Sequence, residues 1–249
     1  MPLLDSFHPS DSTPFLWLHG FTQTRHSGYE FREQVSTTRD LRAFDLAGHG
    51  DASDLVMTLP QMGADIAESL GSASVDLGGY SFGGRVALHV ALAAPAQLEH
   101  LVVLSATAGI ADPEERRARR ERDTTLASRI EEMGVESFLS EWLAQPMFST
   151  LKPDPVELAS RSHDAAGLAS SLRTAGTGTQ QPLDEALSTL LTPSLIVAGE
   201  RDEKFVREAH RLHECLRNSE LVIVPEAGHA LHLERPDYVA ALVSEYLRR

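Results

Sequence analysis

A chain of 249 residues is long enough for one large domain, or a domain carrying an insertion, around a sizeable core. Its formal net charge of −14 argues against nucleic acid and anionic membrane surfaces as partners, and the single cysteine, Cys215, excludes intrachain disulfides and cysteine-based zinc sites. Lys152 and Lys204 are the only lysines, so nearly all positive charge is arginine, the side chain suited to planar two-point contact with carboxylates.

The stretch from Met1 to Pro14 carries Asp5 and Asp11 and has neither a basic n-region nor an apolar h-region, so it does not read as a signal peptide. No apolar run approaches the ~20 residues of a membrane span, and the expectation is a cytoplasmic protein. Short apolar runs then recur as strands: Phe15 to Leu18, Leu41 to Leu46, Ser74 to Leu77, Leu98 to Leu104, Ser194 to Ala198 and Leu221 to Val224. Several are continuous rather than alternating, as parallel strands covered on both faces are. Helical patterns lie between them, at about Gln61 to Leu70, Gly84 to Ala93, Val206 to Leu216 and Pro236 to Leu247. This alternation predicts an α/β fold with a doubly wound, mostly parallel sheet.

The rhythm breaks between Gly109 and Leu191, where no convincing strand is found. A charged run (Glu114 to Asp123), a helix near Val135 to Leu143, another around Pro155 to Leu172 and the turn Gly176-Thr177-Gly178-Thr179 follow in order. The stretch reads as a helical cap, 109–191, inserted into a core made of 1–108 and 192–249.

The motif with most chemical content is Gly79-Tyr80-Ser81-Phe82-Gly83, a G-x-S-x-G between a strand and a helix. On such a sharp turn the backbone has no room for Cβ atoms at its crossing points, and the serine is pushed into an open cleft. A hydroxyl needs a histidine to take its proton and a carboxylate to orient that imidazole. The order serine, acid, histidine predicts Asp202 in Gly199-Glu200-Arg201-Asp202 and His229 in Glu226-Ala227-Gly228-His229, both beyond strand ends. Glu200 and Glu203 are the rival acids. Donors for negative charge on oxygen are expected from the Phe21 amide, after Leu18-His19-Gly20, and from the Phe82 amide. His19 alone reads as a turn residue, but its pairing with the elbow favours an oxyanion loop.

Arg85, one helical turn past Ser81, is a charge where a helix normally meets the sheet. It reads either as half of a buried ion pair or as a fixed cation awaiting an anionic substrate. Of the eleven histidines, His89 and His100 read as packing residues, His49 as structural, and His210 and His213 as a solvated helix face. His229 and His232 share a metal-compatible spacing, but without a third ligand no metal site is expected.

Together, L-H-G-F, D-L-A-G-H-G, G-Y-S-F-G-G-R, G-E-R-D-E-K-F and G-H-A-L-H-L-E-R-P resemble the α/β-hydrolase superfamily from about Phe15 to the C-terminus. Within it, Arg85 and the G-E-R-D-E-K-F stretch are similar to the 2-succinyl-6-hydroxy-2,4-cyclohexadiene-1-carboxylate (SHCHC) synthase family of menaquinone biosynthesis. Ala47 departs from the proline usual before the Gly-His-Gly turn. The resemblance implies a lyase: proton abstraction from a cyclohexene ring drives elimination of pyruvate, with no cofactor. It implies a small tricarboxylate substrate held by Arg85, Arg119 and Arg161, with Tyr80 and Trp142 (in W-L-A-Q-P-M-F) in the substrate site. Most other arginines of the 114–123 run are expected to face solvent. A monomer or weak homo-oligomer is expected. An ester or carbon–carbon bond hydrolase using the same triad is the alternative activity, and a non-catalytic small-ligand receptor is a more remote one.

Overall fold

The computed structural model describes residues 13–249, so most of the N-terminal stretch, with the absence of a leader read there, lies outside the described residues. In chain order the elements are β1 (Phe15–Leu18), α1 (Tyr29–Ser36), β2 (Leu41–Ala43), α2 (Leu59–Leu70), β3 (Val75–Tyr80), α3 (Phe82–Ala93) and β4 (Leu98–Leu104). Five helices follow with no strand among them: α4 (Pro113–Met133), α5 (Val135–Leu143), α6 (Pro155–Ala159), α7 (Ala165–Ala175) and α8 (Asp184–Leu187). The chain then closes with β5 (Ser194–Gly199), α9 (Glu203–Cys215), β6 (Ser219–Val224), α10 (Leu231–Glu234) and α11 (Pro236–Tyr246).

The strands form one sheet in the order β2-β1-β3-β4-β5-β6, and every pairing is parallel. Because strand side chains alternate, β1 sends Leu16 and Leu18 into one core and Phe15 and Trp17 into the other. The first core is closed by α2, α3 and α9, and the second by α1 and α11. All four β1 residues are fully buried, which accounts for their unbroken apolar run. Parallel strands place all their carboxyl ends at one edge, and that edge carries the loops after β1, β3, β5 and β6.

Several boundaries differ from the sequence expectation, for local reasons. β3 runs on through Gly78, Gly79 and Tyr80: the two glycines pair with both neighbours and Tyr80 with β4, while the rings of Phe15 and Trp17 fill the space a side chain at Gly78 would need. β2 stops at Ala43, because beyond it Asp45 turns to accept from the Arg25 amide (2.7 Å) and guanidinium (2.9 Å). α1, not expected from the sequence, has only eight largely polar residues and buries only Phe31 and Val35. The single helix expected from Pro155 to Leu172 is two, α6 and α7. Arg161 and Ser162 turn inward between them, and Asp164 caps α7 by accepting from the Gly167 amide at 2.6 Å.

The helical stretch has a small core of its own, in which Ala127, Ile130, Phe138, Leu168 and Leu172 pack together. α4 starts at Asp112, which accepts from the Glu115 amide at 2.8 Å, with Pro113 in the first turn. Only Asp123, Ala127 and Ile130 of its 21 residues are buried, so its charged run is a solvated face. Leu183, Leu187 and Leu190 instead join the core beneath α3, so the independent packing of the insertion ends near Ala175. No helix among the described residues is long and apolar enough to cross a membrane.

Candidate active site

Ser81 sits between β3 and α3 with φ 51° and ψ −103°, a strained conformation for a residue with a side chain. The turn is tight because β3, α3 and β1 converge there. A Cβ at Gly79 would collide with the Gly83 carbonyl, and one at Gly83 with the Leu18 carbonyl. The glycines of the motif are therefore steric requirements at this site.

His229 Nε2 lies 3.0 Å from Ser81 Oγ, and His229 Nδ1 lies 2.7 Å from Asp202 Oδ2. His229 and Asp202 are both buried, whereas Glu200 accepts from the Glu226 amide and Glu203 faces solvent. The geometry thus brings Asp202, not either rival, to the imidazole. Asp202 is also the N-cap of α9, its other oxygen accepting from the Phe205 amide at 3.2 Å, so the helix start holds the carboxylate in place. The rings of Phe205 and Tyr80 flank His229 at 4.4 and 5.4 Å between centroids.

The loop after β1 is shaped by two buried histidines. His19 Nε2 accepts from the Leu46 amide at 3.0 Å while its Nδ1 donates to the Gly20 carbonyl at 2.9 Å. His49 Nε2 accepts from the Thr22 amide at 3.3 Å, and its ring stacks on Phe82 and meets Phe21 edge-on. Burial pushes the His19 pKa down to about 4 and the His49 pKa down to about 3, so both rings are neutral acceptors at physiological pH. His19 is therefore a turn residue that builds the loop. The amides of Phe21 and Phe82 have no acceptor among the described residues, and the second opens α3, where the helix dipole favours negative charge.

A cavity of about 380 Å³ opens over Ser81 between the sheet edge and the helical insertion. Its floor includes Tyr80, Ser81, Phe82, Arg85 and His229, and its roof includes Arg119, Arg122, Trp142 and Phe148. Arg85 is buried, yet no carboxylate pairs with it among the described residues. Its Nη1 donates to the Ala175 carbonyl at 2.8 Å and lies 3.5 Å from Gln180 Oε1. Burial, and then the charge of Arg119, lower its pKa to about 9, which leaves it cationic at neutral pH. Arg119 Nε donates to buried Asp123 at 2.7 Å, and Asp123 also accepts from the Gly178 amide at 3.0 Å. Arg122 and Lys204 line the same cavity, so four cations face one carboxylate, Asp123, beside the triad. Sequence reasoning missed Arg122 and Lys204. Lys204 lies two residues past Asp202 in the motif and was legible; Arg122 lies within a run that is mostly solvated.

Arg161 is placed differently from the other two substrate-binding arginines expected. It lines a neighbouring cavity of about 610 Å³ with His232 and Glu157, donates to Thr22 Oγ1 at 2.6 Å and pairs with Glu157 at 3.5 Å. Tyr80 bounds the triad cavity, and its ring packs on His232 at 4.3 Å. His100 pairs with Asp76 across β3 and β4 at 2.8 Å, His89 packs over Gly63, and His210 and His213 are exposed. Among the described residues no three His, Cys, Asp or Glu side chains converge as metal ligands would.

The family profile described as "Alpha/beta hydrolase family" matches residues 15–242. A protein of Enterobacter sp. (strain 638) named 2-succinyl-6-hydroxy-2,4-cyclohexadiene-1-carboxylate synthase is 31% identical over 240 residues, covering 94% of this chain and 91% of the relative. One from Bacillus subtilis (strain 168), which carries that name provisionally, is 34% identical over 252 residues, 96% and 92% of the two chains. Among solved structures, MenH from S. aureus superposes with a TM-score of 0.87 at 28% identity, covering 95% and 93%. A thermophilic esterase from Thermogutta terrifontis, solved with malate bound, gives 0.75 at 25% identity, covering 95% and 90%. The chain belongs to the α/β hydrolase family, and its full-length similarity runs to members named SHCHC synthase.

Proposed function

We propose that the protein is an SHCHC synthase. It would eliminate pyruvate from 2-succinyl-5-enolpyruvyl-6-hydroxy-3-cyclohexene-1-carboxylate. The observation that carries this reading is the charge of the cavity: Arg85, Arg119, Arg122 and Lys204 surround a serine triad in a chain of net charge −14. A neutral ester has no use for such a group of cations, whereas a tricarboxylate does.

In this reading Ser81 Oγ, relieved of its proton by His229, takes the acidic ring proton. Electron density moves through the ring, the carbon–oxygen bond to the enolpyruvyl group breaks, and that group leaves as the enolate of pyruvate. Asp202 holds the imidazole and stabilises its protonated form. The Phe21 and Phe82 amides stabilise the extended enolate formed on proton loss. Arg85 and Arg119 hold carboxylates, and Tyr80 and Trp142 shape the apolar wall. Residues 109–191 act as the cap that excludes water. Arg161 acts from the neighbouring cavity, through the loop that carries Phe21 and the packing around Tyr80. Cytoplasmic action as a monomer or weak homo-oligomer belongs to the same reading, the lone cysteine suiting a reducing compartment.

The test is pyruvate release from the enolpyruvyl tricarboxylate, run beside hydrolysis of p-nitrophenyl acetate. Saturable pyruvate release that far outpaces ester hydrolysis is the expected result. Ester turnover with no pyruvate would establish the hydrolase instead.

A further inference from the structure

Gln23 is buried behind the loop after β1 and has three polar partners. Its Oε1 accepts from the Gly20 amide at 2.8 Å, one residue before the Phe21 amide. Its Nε2 lies 3.4 Å from Glu157 Oε1 and 3.4 Å from His232 Nε2. Burial holds His232 neutral, its pKa pushed down to about 3, so that its ring nitrogen can accept. Only one orientation of the amide suits these partners, since the flipped form would set its oxygen against the Glu157 carboxylate.

Glu157 belongs to α6 of the insertion and also accepts from the Gly28 amide at 2.8 Å. The seam continues beyond it. The Ser162 amide donates to the Thr22 carbonyl at 2.8 Å, and Thr24 Oγ1 donates to the Ser160 carbonyl at 2.6 Å. Thr22, next to Phe21, is held at φ 69°, a conformation a β-branched residue adopts only when its surroundings impose it. The break between α6 and α7 is therefore stitched to the segment that presents the Phe21 amide.

We infer that Gln23 is a positioning residue that couples seating of the 157–162 segment to the aim of the Phe21 amide. This rests on the reading of that amide as an oxyanion donor. With the segment seated, Gln23 has a partner for each of its polar atoms and fixes Gly20. With it displaced, a buried amide loses Glu157 and the loop loses its clamp. Docking of the insertion then assembles the oxyanion site as well as covering it.

A swap of donor and acceptor tests this. Gln23→Leu removes all three contacts. Gln23→Glu keeps the acceptor for Gly20 but sets two carboxylates face to face. Gln23→Glu with Glu157→Gln restores the pair with its roles exchanged, because the carboxamide placed on α6 can donate to the carboxylate placed on the loop and still accept from the Gly28 amide, while His232, whose Nδ1 has no partner, can move its ring proton to Nε2 and donate to the new carboxylate. The readouts are kcat and KM for pyruvate release, amide exchange at residues 20–21 and 157–162, and melting temperature. Gln23→Leu should lower kcat about tenfold or more with KM within about twofold, since oxyanion donors act mainly in the transition state. Gln23→Glu should lower kcat and speed exchange in both segments, and the double variant should recover both to within about twofold of the parent. Unchanged kcat in Gln23→Leu, or a double variant no better than Gln23→Glu, overturns the inference. A residue that only stabilised the fold would lower the melting temperature without a loss of kcat that the swap restores. If Gln23→Leu does not fold, the swap decides alone. If the parent protein releases no pyruvate, the reading of the reaction fails, but the exchange cycle still decides: recovery of protection in the double variant supports the coupling, and its absence overturns it.

Discussion

The two walls of the triad cavity are built by opposite means. The sheet-edge wall consists of short loops at strand ends, each fixed by local covalent geometry or buried hydrogen bonds: the elbow at Gly79 and Gly83, the His19 and His49 contacts, and Asp202 as a helix cap. The insertion wall consists of helices with a small core, and α4 buries only three of its 21 residues. The first wall fixes its side chains and amides through steric contacts and buried hydrogen bonds. The second contributes charge and apolar cover, which tolerate looser placement and allow movement. In the function proposed above, the difference divides the work: proton transfer falls to the sheet edge, and recognition of an anion is shared across the gap.

The largest expected effect lies wholly in the sheet edge. Ser81→Ala, His229→Ala and Asp202→Asn should each lower kcat by about three to six orders of magnitude, with strongly non-additive combinations, because the three act as one unit. Pyruvate-release kinetics on single and double variants check this. Near-normal turnover in Asp202→Asn would mean that this carboxylate does not orient the base, and the contrast between the walls would lose its basis.

The same contrast explains what the sequence made legible. G-Y-S-F-G-G marks the elbow because steric exclusion at Gly79 and Gly83 leaves no alternative residue, and Asp202 and His229 follow strands whose continuous apolar runs are unmistakable. Short-range constraint leaves a short-range signature. Helix α1 and the break between α6 and α7 left none. Their existence depends on Phe31 and Val35 finding the α11 side of the sheet, and on Arg161 turning in toward Thr22. Arg122 is likewise one arginine among many in a solvated run, and only the docking of α4 selects it. Gln23 carries no motif at all, because its partners are brought together by tertiary packing.

Arg85 lies in the sheet-edge wall but is proposed to serve the recognition shared with the other, so it is the sharpest probe of the division. Arg85→Lys keeps a charge and a donor for the Ala175 carbonyl but loses the planar fork. It should lower kcat/KM for the tricarboxylate about tenfold or more, with little change in melting temperature or in turnover of p-nitrophenyl acetate. Parallel loss of both activities would assign Arg85 to structure and leave anion recognition to the insertion alone.

Acid should act on the sheet-edge wall first. His19 and His49 have folded pKa values of about 4 and about 3, below the ordinary 6.5, so the unfolded chain binds more protons between those limits. Their contribution to stability is full above about pH 6.5 and is lost as pH falls toward those values. Between pH 7.5 and pH 5 each should cost roughly 2 kcal/mol of unfolding free energy. Denaturant titrations at the two pH values check the total, to which His232 and His89, also held low by burial, add shares of the same sign, and His49→Gln should remove roughly 2 kcal/mol of that loss. Amide exchange at residues 19–22 and 46–49 should rise at pH 5, beyond the intrinsic pH effect, before it rises in α4. The reverse order would make the insertion the acid-labile part.

The smallest effect separates two arginines on one helix. Arg117 and Arg119 both lie on α4 and both have an acidic partner, yet their surroundings differ. Arg117 pairs with Glu114 at 2.5 Å with both side chains more than two-thirds exposed, whereas Arg119 pairs with a buried aspartate and lines the triad cavity. An exposed pair of this kind contributes a few tenths of a kcal/mol at most, and salt screens it. Arg117→Ala should therefore leave melting temperature and kcat/KM within experimental error. Arg119→Ala should lower kcat/KM for the tricarboxylate about tenfold while ester turnover holds, because it removes a cation that faces the substrate across the gap. Asp123 would remain held by the Gly178 amide, so the fold of α4 should survive the loss. Equal effects of the two substitutions would mean that α4 acts only through its overall charge, and that recognition is confined to the sheet-edge wall.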